Sequence, residues 1–153
     1  MAPTRLVGIA LLLLATPARG LEPVPASLPP SHQEATAWAV TLALPTPLRA
    51  GVAATAIVQL IARAGHHINL EYPVAFRPDD RSTVTFGGPR VPLAAGASTP
   101  SPGRAAETCQ QTLALPFTPG AGLRRVSGTV LFSVCTADRC LIERIALGAE
   151  ASP

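Results

Sequence analysis

Three observations predict an all-β chain, an antiparallel β-sandwich of immunoglobulin-like type. About seven strand-length apolar runs recur at regular spacing, Pro or Gly clusters stop them, and no run has a convincing helical period.

Residues 1–20 stand apart from that pattern. Arg5 gives a positive start, Leu6 to Ala15 is an apolar run, and Ala18-Arg19-Gly20 offers the small residues a signal peptidase reads. The segment is expected to be a secretory signal cleaved before Leu21, since its apolar run is too short to span a bilayer stably. No cysteine follows it to carry a lipid, and no later stretch is long and apolar enough for a membrane helix. A periplasmic or secreted bacterial location, with no membrane association after cleavage, is expected.

Residues 21–36 are expected to be a proline-rich, extended leader to a single domain over residues 37–150. Ala37 to Leu44 alternates, with Trp38, Val40, Leu42 and Leu44 on one face, until Pro45-Thr46-Pro47 stops it. Ala53 to Arg63 has enough alanine for a helix. However, its β-branched Ile57, Val58 and Ile61, and its length between Gly51 and Gly65, favour a strand.

His67 to Phe76 carries Ile68, Leu70 and Tyr72 at period two, and Ser82 to Phe86 is a further short strand. Val91 to Arg104, rich in Pro, Gly, Ala and Ser, reads as a loop. Cys109, Gln111, Leu113, Leu115 and Phe117 share one face of the next strand. After the turn at Pro119 to Gly122, Val126, Val130, Phe132 and Val134 point inward, and Cys140 to Leu147 forms the last strand. Trp38 is a core candidate. It precedes every cysteine, so the Cys…Trp…Cys order of antibody domains is absent.

Charge excludes one class of function. The chain has 12 basic and 9 acidic residues, and removing Arg5 and Arg19 with the signal leaves a balance near neutral. With no basic run, one Tyr and one Trp, it has no footprint for nucleic acid. Every basic residue is arginine, which reads as compositional bias and not as chemistry.

The chemistry concentrates in "FSVCTADRCLIER", Phe132 to Arg144. If the last two strands pair as a hairpin, Cys135 and Cys140 face each other with Cα atoms about 4.5–5.5 Å apart. A disulfide can bridge that distance. Closing so short a loop contributes roughly 2 kcal/mol, and less where a hairpin already holds the ends together. A weakly stabilising bond at a loop tip suits reversible oxidation, and a plain structural disulfide remains the alternative. Arg139 would favour a Cys140 thiolate, and Asp138 would partly oppose it.

Metal binding is poorly supported. The C-x4-C spacing lacks a second ligand pair, and adjacent His66 and His67 on a strand point to opposite faces. No cofactor is expected. Cys109 reads as a buried free thiol, with pairing to Cys135 or Cys140 left open. Asp79-Asp80 reads as a solvated turn between strands.

Three stretches carry a family resemblance: "GHHINLEYPVAF" (Gly65–Phe76), "LPFTPGAG" (Leu115–Gly122) and "SGTVLFSVCTADRCLIERIAL" (Ser127–Leu147). They resemble the N-terminal periplasmic domain of the thiol:disulfide interchange protein DsbD and its stand-alone relatives, over roughly Ala37 to Leu147. The third stretch is the most specific. The resemblance implies an immunoglobulin-like sandwich passing electrons from a thioredoxin-like donor to periplasmic disulfide proteins. It implies catalytic roles for both cysteines: Cys140 forms the mixed disulfide with a partner, and Cys135 resolves it. The family's transmembrane carrier and thioredoxin domain are not among these 153 residues, so donor and acceptor would be other proteins. The loop between the cysteines is expected to be shorter than in the full-length proteins. No aromatic cap over the pair can be placed, Tyr72 and Phe76 being the candidates, and Cys109 has no counterpart role.

Overall fold

The computed structural model describes residues 27–69, 71–95, 99–100 and 109–152. The expected signal and the start of the expected leader lie outside them, as does much of the Val91–Arg104 stretch. Two antiparallel sheets form a β-sandwich, so the all-β expectation holds. Among the described residues no helix is long and apolar enough to cross a membrane.

Twelve strands occur in chain order among these residues: β1 (His32–Glu34), β2 (Trp38–Ala43), β3 (Ala54–Ala62), β4 (His67–Ile68), β5 (Ala75–Pro78), β6 (Val84–Thr85), β7 (Val91–Pro92), β8 (Ala94–Ala95), β9 (Thr99–Pro100), β10 (Cys109–Pro119), β11 (Arg124–Cys135) and β12 (Cys140–Ala151). One sheet runs β1-β2-β3-β10-β6, with β8 and β9 also on β10. The other runs β12-β11-β5-β7, with β4 also on β11.

The alternating runs become β2, β10 and β11 with the expected faces inward, and the run favoured as a strand by its β-branched residues becomes β3. Trp38, Val40 and Leu42 of β2, Val58 and Leu60 of β3, and Leu113, Leu115 and Phe117 of β10 are buried against Val126, Val130, Phe132 and Val134 of β11. Trp38 meets Phe132 edge-on, with centroids 5.6 Å apart and planes at 89°, a geometry that aromatic quadrupoles favour. Gly128 of β11 stands where any Cβ would meet the Arg77 carbonyl oxygen at 2.3 Å and the Phe76 ring at 2.6 Å. Its missing side chain therefore lets Phe76 lie across the strand into the core.

Four local expectations are corrected. Strand pairing begins inside the stretch expected as leader, where His32, Gln33 and Glu34 pair with Thr41, Val40 and Ala39. The Gly148 amide donates to the Pro30 carbonyl, and Gln33 Nε2 donates to the Ala146 carbonyl, so this segment also covers part of β12. Three polar residues beside prolines have no apolar period, and only docking onto formed strands makes them a strand.

The His67–Phe76 run divides into β4 and β5, because both take turns on the same edge of β11. The expected loop after Val91 contains the short strands β7, β8 and β9, which add to β5 and β10.

Asp79 is not simply solvated. Its carboxylate accepts from the Arg81 amide at 3.0 Å and from Ser127 Oγ at 3.0 Å, tying the turn after β5 to β11. Partial burial raises its pKa, but the hydrogen bonds from Arg81 and Ser127 and the Arg81 charge outweigh that and hold it below the ordinary 3.8. Asp80 is the exposed member of the pair.

A depressed carboxylate stabilises the fold above its unfolded pKa, and that contribution is lost as pH falls through the lower folded value. Between neutral pH and about pH 3, the native protein should therefore lose more stability than Asp79→Asn. Urea denaturation at the two pH values checks this, and equal losses would contradict it.

Candidate functional site

The site is built where β11 ends. Cys135 and Cys140, directly opposed in the β11–β12 register, are joined by a disulfide with Cα atoms 4.0 Å apart. The loop between them is held by its own first residue. The Thr136 amide donates to the Arg139 carbonyl at 2.9 Å, and Thr136 Oγ1 accepts from the amides of Asp138 and Arg139 at 3.3 Å. This is a hydroxyl-closed turn of the kind serine and threonine form.

On the other edge of β11, β4 sets His67 opposite Cys135 and Ile68 opposite Val134. The turn that delivers β4 uses Gly65 at φ 77°, a left-handed conformation that costs glycine little, with the His66 amide donating to the Arg63 carbonyl at 2.9 Å. After β4, the Asn69 amide donates to the Ser133 carbonyl at 2.9 Å, and Asn69 Oδ1 accepts from the Glu71 amide at 2.9 Å.

Directly opposed residues share a face of a sheet, so His67, Cys135 and Cys140 form one row across three strands, on the face away from the Val134 side. An open groove of about 720 Å³ surrounds this row. His67, Asn69 and Glu71 form one wall, Thr136 to Arg139 form the other, and the disulfide lies between them.

The two sulfurs are not equivalent. Cys135, on a strand flanked on both sides, is 2% exposed, whereas Cys140 on the edge strand β12 is exposed. The loop tip expected to be exposed is therefore exposed on one side only. Ser133, two residues before Cys135 on the same face, is buried, and its hydroxyl lies 3.8 Å from Cys135 Sγ. A disulfide sulfur has no proton, so Ser133 is the donor. Leu141 and Ile142, just after Cys140, are large exposed hydrophobic residues.

Several candidates fall outside the site. Phe76 is fully buried in the core, and half-buried Tyr72 does not line the groove, so neither covers the disulfide. His66 Nδ1 pairs with the Ala64 carbonyl at 3.1 Å, while His67 faces the groove. No group of three or more His, Cys, Asp or Glu among the described residues is arranged to hold a metal ion. The side chain of Cys109 lies outside the described residues.

Sequence reasoning missed Ser133, Asn69 and the role of Thr136. Ser133 shares parity with Cys135 in an alternating strand, and that signal could have placed it beside the sulfur. Comparison with protein-family models, with curated proteins and with solved structures returned no match.

The disulfide closes a hairpin that β11 and β12 already hold through twelve register pairs. Replacing both cysteines by alanine should therefore leave the protein folded and cost no more than about 2 kcal/mol. Chemical denaturation checks this, and a failure to fold would mark the bond as a structural necessity.

Proposed function

We propose that this chain is an exported thiol–disulfide exchange module that passes electrons between thioredoxin-like and periplasmic disulfide proteins through Cys135 and Cys140. The observation that carries the reading is a disulfide in an open groove with one sulfur buried and the other exposed on an edge strand. A bond that persists in an exported protein fits the signal-like character of residues 1–20. The resemblance to the DsbD N-terminal domain, including its immunoglobulin-like sandwich, agrees with the same reading.

Thiol–disulfide exchange is attack by a thiolate on one sulfur as the other leaves, and access decides which sulfur is attacked. The attacking thiolate approaches along the S–S axis, opposite the leaving sulfur. In-line approach to Cys135 would come from the β4 side, where His67 stands. In-line approach to Cys140 comes from the outer edge of β12, and at that end no described strand pairs with it.

A donor thiolate would therefore bond to Cys140 Sγ, and the electron pair of the Cys135–Cys140 bond would pass to Cys135. A second donor thiol would attack its own sulfur in the mixed disulfide and release Cys140 as a thiolate. The donor leaves as a disulfide and this chain holds both electrons as a dithiol. Delivery to an acceptor runs the same steps in reverse, with Cys140 attacking and Cys135 resolving.

The other reading is a β-sandwich binding or assembly domain whose disulfide only pins a hairpin tip, and the place of the bond at the end of the β11–β12 ladder favours it. Trapping separates the two. Cys135→Ala, incubated with a thioredoxin-like protein that keeps only its attacking cysteine, activated as the mixed disulfide with thionitrobenzoate, should expel thionitrobenzoate and accumulate an adduct linked through Cys140, seen on a non-reducing gel and mapped by peptide mass. Cys140→Ala should give at least about tenfold less, since the remaining sulfur is shielded. No adduct through Cys140 would contradict the exchange function.

A further inference from the structure

We infer that Ser133 is a catalytic hydrogen-bond donor that stabilises Cys135 as the leaving thiolate when the disulfide is cleaved. This rests on the reading of Cys135–Cys140 as an exchanging pair, and it adds a residue and a reason for the direction of bond breaking.

Ser133 is unusual in its surroundings. It sits between Phe132 and Val134 in a strand whose neighbouring positions are apolar, and it is 2% exposed. A buried hydroxyl without a partner costs free energy. Among the described residues, the hydrogen-bond partner of Ser133 Oγ is Cys135 Sγ, at 3.8 Å. A divalent sulfur in a disulfide is a weak acceptor, so in the oxidised protein this hydroxyl is poorly used.

Cleavage changes that. When a thiolate bonds to Cys140 Sγ, the bonding pair of the disulfide moves to Cys135 Sγ, which becomes an anion in a nearly solvent-free position. A buried thiolate is disfavoured unless a donor or cation faces it. Ser133 already stands there, and its weak contact becomes a charge-assisted hydrogen bond as the negative charge develops. The serine keeps its proton, and the thiolate takes one from water once the dithiol state is reached.

The charged groups around the groove are placed differently. Glu71, Asp138 and Arg139 lie in exposed loops, and His67 is exposed on β4. Cys140 has no comparable buried donor among the described residues, and it is exposed. The hydrogen bond therefore adds to the asymmetry of access: Cys140 is the sulfur that can be reached, and Cys135 is the sulfur whose departure is stabilised.

The test uses dithiothreitol, a small dithiol that needs no docking surface, so its outcome does not depend on whether a protein partner exists. Ser133→Ala should lower the second-order rate constant for cleavage of Cys135–Cys140 at neutral pH about tenfold, the usual worth of a hydrogen bond to a charged group. Ser133→Thr and Ser133→Val have the same shape but differ in the hydroxyl, so Thr should retain most of the native rate and Val should match Ala. A second readout follows the Cys135 thiolate by its ultraviolet absorbance in Cys109→Ala/Cys140→Ala protein. Its titration midpoint should rise by about one unit when Ser133 is replaced by Val and stay near its starting value with Thr.

Equal rates for the Thr and Val variants, or equal midpoints, would overturn the assignment. A slow Val variant in a protein that forms no adduct with thioredoxin-like proteins would support Ser133 while removing the exchange function. Normal protein exchange with equal Thr and Val rates would do the opposite.

Discussion

The structure depends on the position of β11. This strand supplies Val126, Val130, Phe132 and Val134 to the core on one face, and it pairs with β12 along one edge over its whole length. Its other edge is shared by β5 and β4 in turn. Seven residues separate Ile68 from Ala75, whereas only three separate their partners Val134 and Leu131, so four residues have to leave the ladder. That excursion carries Asn69 and Glu71 out to form one wall of the groove. A packing constraint in the sheet thus produces the concave surface beside the disulfide.

The same constraint makes the two cysteines different. Cys135 lies on a strand flanked on both sides, and Cys140 lies on an edge strand. The N-terminal segment covers β12 at Ala146 and Gly148, well away from Cys140. Burial, strand position and the Ser133 contact all bear on the same sulfur, so topology makes the two cysteines different. The proposed exchange would use this difference, because one sulfur has to be reached and the other has to leave.

Much of this was legible in the sequence. Period-two alternation found β2, β10 and β11 and turned the correct faces inward, because each of those strands packs one face on a single core, and β-branched residues between Gly51 and Gly65 found β3. The four-residue gap between Cys135 and Cys140 gave the opposed pair, because hairpin register follows from loop length. β1 was hidden, since His32, Gln33 and Glu34 carry no apolar pattern and are ordered by backbone pairing to β2. The division between β4 and β5 was hidden because Ile68, Leu70 and Tyr72 read as one continuous strand, and only the shared edge of β11 separates the elements. Asp79 was misread because its partner Ser127 lies far along the chain, and no local pattern reports a contact of that span.

The two readings of the disulfide differ most sharply in its equilibrium with other thiols. Bonds that serve structure alone in exported proteins resist reduction, with potentials below about −300 mV, and bonds that exchange lie higher. The measurement that tests the account most directly is therefore the reduction potential of Cys135–Cys140, obtained by equilibrating the protein with a dithiol buffer of known poise. The account predicts a value above about −300 mV, and a value below it would contradict the exchange function.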